Sequence, residues 1–340
     1  MRVTQQGSMK VYDAMVANPP KAPVVTRKPL RPNRYKAGDK STVALVHSDN
    51  RSTALEEALK LLGGLDPILE GLEGTVLIKP NCNTDDPFPA SSHPEMIRQV
   101  AERLIDHGVQ PSNIVIGEMS GKGRGLPTRC TMENMGLAKI AKDLALRLNP
   151  FEEEEWITVK PPKAHHWPEG IRIPRQLYEA SRVINVPAMK THMSADFTLG
   201  LKAAVGLIDA QGRDWLHNGE AFSQKIAELN LVYSADLTVL DGIKCFTTRG
   251  PSEGKLAEPG IVIVGGDRVA VDAVGVALLK QLGAVNIAER KVAEHVQLTW
   301  AAELGLGNLN PDKIEVRAAN PEKDPTFQDT VSAIKKNLRS

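Results

Sequence analysis

From Thr42 onward, apolar and polar positions alternate between two patterns. Short β-branched runs at 43–47, 75–79, 113–117, 182–186, 237–240 and 261–264 predict buried strands. Helical spacing fills the intervals, over 53–62, 94–107, 132–146, 223–233 and 269–282, and again at 288–304. Pro94 suits a first helical turn, and Asp267 caps a helix after the tight Gly265-Gly266 turn. A short strand at 313–316 and a helix at 330–338 close the chain. This βαβ alternation predicts an α/β fold with a mostly parallel sheet and a ligand cleft at the strand carboxyl ends.

Three stretches depart from that rhythm. Residues 1–40 carry Pro19, Pro20, Pro23, Pro29 and Pro32 among basic residues, which predicts an extended arm that adds little to the core and is available to a second subunit, as in a homo-oligomer. Between 150 and 174, an acidic run, Pro161-Pro162 and His165-His166-Trp167-Pro168 predict an irregular excursion or a short hairpin. A division of the α/β region, 41–320, into two lobes would fall there, near 150–180, with 321–340 as a C-terminal helix. Residues 211–220 read as a polar loop, and 247–259, with Gly250 and Gly254 and almost no apolar anchor, as a movable flap.

Composition narrows the function classes. The 340 residues include 42 basic and 41 acidic side chains, a formal charge of +1 that exerts no whole-chain pull on nucleic acid, and aromatic residues are too few for base stacking. No apolar run approaches about 18 residues, and residues 1–20 lack the apolar segment of a secretory signal, so a soluble, cytoplasmic protein with no membrane partner is expected. Cys82, Cys130 and Cys245 form no Cys-x-x-Cys pair, so there is no self-contained iron–sulfur motif and the thiols read as reduced.

The strand ends collect the chemistry. The first delivers Lys79-Pro80-Asn81, the next Glu118 and Ser120 into a glycine-rich loop, a third Lys190, Thr191 and His192 after Pro187, and a fourth Asp241. Beyond Ser194, read as a helix cap with Asp196 in the first turn, Thr198, Lys202 and Gly206 stand at i, i+4 and i+8 beside the apolar row Phe197, Leu201 and Val205. Three lysines with amide and hydroxyl donors suit a carboxylate or phosphate, while Glu118, His192 and Asp241 offer acid–base capacity or ligands for a divalent metal.

These same residues, Lys79-Pro80-Asn81, His93-Pro94, Asn185-Val186-Pro187, Lys190-Thr191-His192, Thr198, Lys202 and Gly206, with Asp241-Gly242, Gly250-Pro251 and Asp267 to Ala273, resemble the domain of unknown function 362 family over roughly residues 42–318. Some members carry an iron–sulfur ferredoxin module, which the resemblance turns into an expected redox partner. Two readings result. In the first, the protein is an enzyme for a small anionic metabolite, with Lys79, Lys190, His192 and Asp241 as catalytic groups and Asn81, Glu118, Ser120, Thr191, Thr198, Lys202 and Gly250 as ligand contacts. In the second, it is a non-catalytic cofactor-binding or electron-transfer accessory of an iron–sulfur system. An enclosed pocket favours the first and a spread surface the second.

Overall fold

A computed structural model describes residues 4–340. Its main sheet runs Ile314–Ala319, Lys40–His47, Ile261–Gly265, Leu237–Phe246, Arg182–Val186, Val76–Pro80, Ile114–Glu118, Arg147–Pro150. Ile261–Gly265 is antiparallel to both neighbours, and the other neighbouring pairs along this path are parallel. The fold is α/β with a mostly parallel sheet, as the alternation predicts.

Strand side chains alternate between two cores. Val43, Leu45, Leu77, Val115 and Val183 belong to one core, which also takes in the apolar residues of Arg268–Gln281 and Phe327–Leu338. Their neighbours Ala44, Val46, Ile78, Ile116 and Ile184 pack with Arg51–Leu62 and Pro94–Asp106. Burial on both faces is why these strands read as continuous apolar runs instead of alternating ones.

Several expectations need correction. The arm does not extend throughout: Gln5–Ala17 is an α-helix capped by Thr4, since the prolines begin only at Pro19. Nor is the arm peripheral to the core, because Tyr12 and Tyr35 are buried and Val24–Val25 adds a strand to a small second sheet. The 150–174 stretch, by contrast, takes the hairpin form that was one of its two expected ones, Trp156–Val159 with Ile171–Pro174 in that sheet. Strands from both sides of 150–180 share one sheet, in which Arg182–Val186 lies between Val76–Pro80 and Leu237–Phe246. The 211–220 loop is in large part a helix, Ala210–His217, capped by Asp209. The 132–146 helix is two short ones, Thr128–Asn134 and Leu137–Asp143.

Candidate functional site

Three adjacent parallel strands, Arg182–Val186, Val76–Pro80 and Ile114–Glu118, end together. Beyond their ends lies a cavity of about 210 Å³ bordered by Lys79, Asn81, Glu118, Lys190, His192, Thr198 and Lys202. The loop containing Pro251 and Ser252 also borders it.

The local backbone around Lys190 is not the helix expected from spacing. Ala188–His192 and Asp196–Thr198 form an antiparallel hairpin that places Lys190 opposite Thr198 and His192 opposite Asp196. Alternation then explains which side chains serve the cavity: Lys190 and His192 border it, whereas Thr191 turns the other way and donates to the Phe246 carbonyl at 3.2 Å. Lys202 follows on a 3-10 helix, Leu201–Leu207, whose entry is fixed by the buried Asp272 carboxylate accepting the Gly200 and Leu201 N–H groups at 2.7 and 2.8 Å. Burial pushes Asp272 up to about 7, held back by those two bonds.

The floor of the cavity is a buried ion pair. Lys79, 1% exposed, donates to Glu118 Oε2 at 2.5 Å and to the Pro80 carbonyl at 2.8 Å. Glu118 also accepts from the Met119 backbone at 2.9 Å, with Arg213 at 3.9 Å. Burial lowers the Lys79 pKa and raises that of Glu118, and the mutual attraction opposes both shifts. Gly206 permits this packing, because a Cβ there would lie 1.6 Å from Glu118 Oε1.

Three groups lack ordinary compensation. Lys190 is 0% exposed and donates to Asn81 Oδ1 at 2.6 Å and to the Ala188 carbonyl at 3.2 Å, with no carboxylate partner. Burial, then the neighbouring Lys202 charge, holds its pKa well below the ordinary lysine value. Lys202 makes no hydrogen bond or ion pair among the described residues; burial, Arg213 and Lys79 bring it down to about 8. Thr198 Oγ1 is buried without a partner in a residue 5% exposed.

Two histidines face this charge in complementary states. His192 Nδ1 accepts the Ser194 N–H at 3.1 Å, so its neutral ring carries the proton on Nε2. Burial, with Lys202 and Lys190, lowers its pKa to about 2 and keeps it neutral. His217 has Nδ1 2.7 Å from the Arg213 carbonyl, which can only accept, leaving Nε2 bare. Burial lowers its pKa as well.

His217 and Arg213 were not among the sequence candidates, nor were Tyr12, Asn83 and Lys122, which complete the wall. The available signal was Asp209 as a cap with Arg213 and His217 at i, i+4. Tyr12 had none, because its position depends on its helix packing against Ala210–His217, where its hydroxyl donates to the Ala210 carbonyl.

Besides Thr191, three candidates lie off the cavity wall. Asp241 is in mid-strand, 1% exposed and paired with Arg51 at 2.8 Å; its strand continues to Phe246 because Gly242 lets the Ile261 carbonyl pass close. Ser120 Oγ donates to the Cys82 carbonyl at 2.6 Å and braces the loop. Gly250 permits contact with the Thr191 carbonyl, which a Cβ would approach to 1.9 Å. With Glu118 bound to Lys79 and Asp241 to Arg51, the three candidate metal ligands do not converge, and among the described residues no cluster of three His, Cys, Asp or Glu forms a metal site. No helix among the described residues is long and apolar enough to cross a membrane.

Fold and site together define an α/β protein with a buried, cation-rich cavity at the carboxyl ends of parallel strands. The chain belongs to the family of the domain of unknown function DUF362, whose model matches residues 76–277. It is 27% identical over 277 residues to a thylakoid-associated protein of Synechocystis sp., covering 76% of this chain and 83% of that one. The apoprotein of lactate racemase from Thermoanaerobacterium thermosaccharolyticum shares 12% identity at a TM-score of 0.41, with 88% of this chain and 87% of that chain covered.

Proposed function

We propose that this protein is an enzyme acting on a small anionic metabolite, a carboxylate or phosphate bound in the cavity between Lys202, Thr198 and His192. The observation that carries the reading is at one wall, where the buried Thr198 hydroxyl has no partner and the half-buried Lys202 ammonium has no protein partner among the described residues, while the one acid that the described residues bring to the cavity, Glu118, is already held by Lys79. A bound oxoanion would supply both missing partners, and an anion so placed offsets the repulsion among the lysines. The His192 Nε2–H donates to the ligand, and the bare His217 Nε2 accepts a proton from it. Enclosure favours this reading over an accessory surface for electron transfer, which would leave the lysines spread and exposed.

The test is native mass spectrometry of the protein as purified, followed by thermal unfolding against a panel of small carboxylates and inorganic phosphate. A retained acid, or a saturable rise in the midpoint that Lys202→Met removes, supports the reading. Midpoints indifferent to every anion, with no retained ligand, count against it.

A further inference from the structure

We infer that Lys190 is a nucleophile that forms an imine with a small oxo acid, a carbonyl compound whose carboxylate sits on Lys202 and Thr198. This rests on the anion-binding reading above and specifies its chemistry.

A neutral amine has two N–H bonds and one lone pair, and a charged one has three N–H bonds. Around Lys190 Nζ two acceptors are present, the Asn81 side-chain oxygen and the Ala188 carbonyl. They satisfy the neutral form in full and leave its lone pair free, whereas the ammonium form would keep one buried N–H unmet. No carboxylate reaches this lysine; Glu118 is taken by Lys79 and Asp241 by Arg51. A fully buried lysine without an acid, beside the second cation Lys202, is the setting in which an amine becomes nucleophilic at neutral pH.

Geometry then sets the substrate class. Lys190 and Thr198 are direct cross-strand partners, so their Cβ atoms lie about 5 Å apart. Both side chains border the one cavity, so a carboxylate at the Thr198 hydroxyl puts an adjacent carbonyl carbon in the space that Lys190 also faces, and a volume of about 210 Å³ admits an acid of few carbons. The His192 Nε2–H is the donor for the carbonyl oxygen.

The step balances without a further reagent. The Lys190 lone pair forms the N–C bond as the C=O π pair moves to oxygen, and one amine proton ends on that oxygen. A second proton, from the Lys202 ammonium, lets the oxygen leave as water while the nitrogen lone pair forms C=N. The products are a protonated imine, water and a neutral Lys202.

The experiment treats the full chain with pyruvate and sodium borohydride, then maps modified peptides by mass spectrometry, with propanal as a carbonyl control lacking the carboxylate. A parallel thermal titration with pyruvate alone reports binding without trapping. The expected result is one reduced adduct, on Lys190, formed in large excess over the propanal adduct and lost in Lys190→Arg. Because mapping on the unsubstituted protein locates the adduct by itself, the outcome stands even if Lys190→Arg does not fold. A saturable thermal shift with no adduct, or with adducts scattered over surface lysines, overturns the imine and leaves the anion cavity intact. No adduct and no shift with pyruvate also overturns it, and if carboxylates and phosphate fail too, the anion-binding reading falls with it.

Discussion

Replacing Lys202 by methionine separates the cost of the site from its use. In the free protein this ammonium has no partner among the described residues and a pKa brought from 10.5 to about 8 by burial, Arg213 and Lys79. At about 1.4 kcal/mol per pH unit, that depression corresponds to roughly 3 kcal/mol of native-state destabilisation at neutral pH; water in the cavity screens part of it, so a gain of about 1–3 kcal/mol is expected from the variant. The sign follows from proton counts. Below pH 8 both folded and unfolded chains hold the proton and the cost is present in full; between 8 and 10.5 the unfolded chain holds more, so wild-type stability recovers as pH rises. With about 0.7 kcal/mol per kelvin of unfolding entropy for a chain this long, Lys202→Met should melt about 1–4 °C higher at pH 6.5, and the difference should fade by pH 10.5. Oxoanion affinity should move oppositely. Losing the charge-assisted bond should cost about 2 kcal/mol, near thirtyfold, and the wild type should itself bind more weakly as pH rises through about 8. Scanning calorimetry at several pH values, with and without the anion, measures both quantities. A variant that melts lower at pH 6.5 and binds the anion unchanged would mean that Lys202 is a structural cation and that the reasoning about its charge is wrong.

Glu118→Gln should destabilise by about 3–5 kcal/mol in denaturant titrations, since it strands Lys79 beside Arg213, and adding Lys79→Met should restore part of the loss. Asp241→Asn should cost a similar amount by leaving Arg51 unpaired, yet leave anion affinity within about twofold, because the pair does not line the cavity. Removing residues 1–18 should cost about 1.5–3 kcal/mol from Tyr12 burial alone and should weaken anion binding by opening one wall, read by calorimetric titration.

Strands were legible wherever both faces are buried: the readings 75–79 and 113–117 fall one residue from Val76–Pro80 and Ile114–Glu118, because a continuous β-branched run has few other uses. The hairpin after Pro187 was not. Its turn carries no glycine or asparagine; Asp196 takes the left-handed backbone at φ 62° instead, and its carboxylate pairs with Arg290 and His295, so it only resembled a first-turn helix acid. Thr198, Lys202 and Gly206 still gather at the cavity, though not as a helix row. A strand residue, a 3-10 residue and a glycine making room for Glu118 coincide there through tertiary packing, which four-residue spacing cannot distinguish from a helix face.

The cavity's chemistry depends on how little of its charge the protein itself cancels. Glu118 is taken up by Lys79 and the Met119 N–H, with Arg213 close by, so the floor has no acid to spare for the other lysines. Among the described residues Lys190 is offered only uncharged acceptors and Lys202 none, so one amine is held toward neutrality while the other keeps a charge that no carboxylate offsets. A second buried carboxylate beside them would stabilise the empty fold, but it would charge Lys190 and occupy Lys202 at once. Placing Asp241 in mid-strand, locked to Arg51, keeps that acid away from both lysines. The same separation that leaves the free protein less stable gives the two neighbouring amines unlike surroundings, which is what the proposed reaction asks of them, one to hold an oxoanion and the other to attack the carbon beside it.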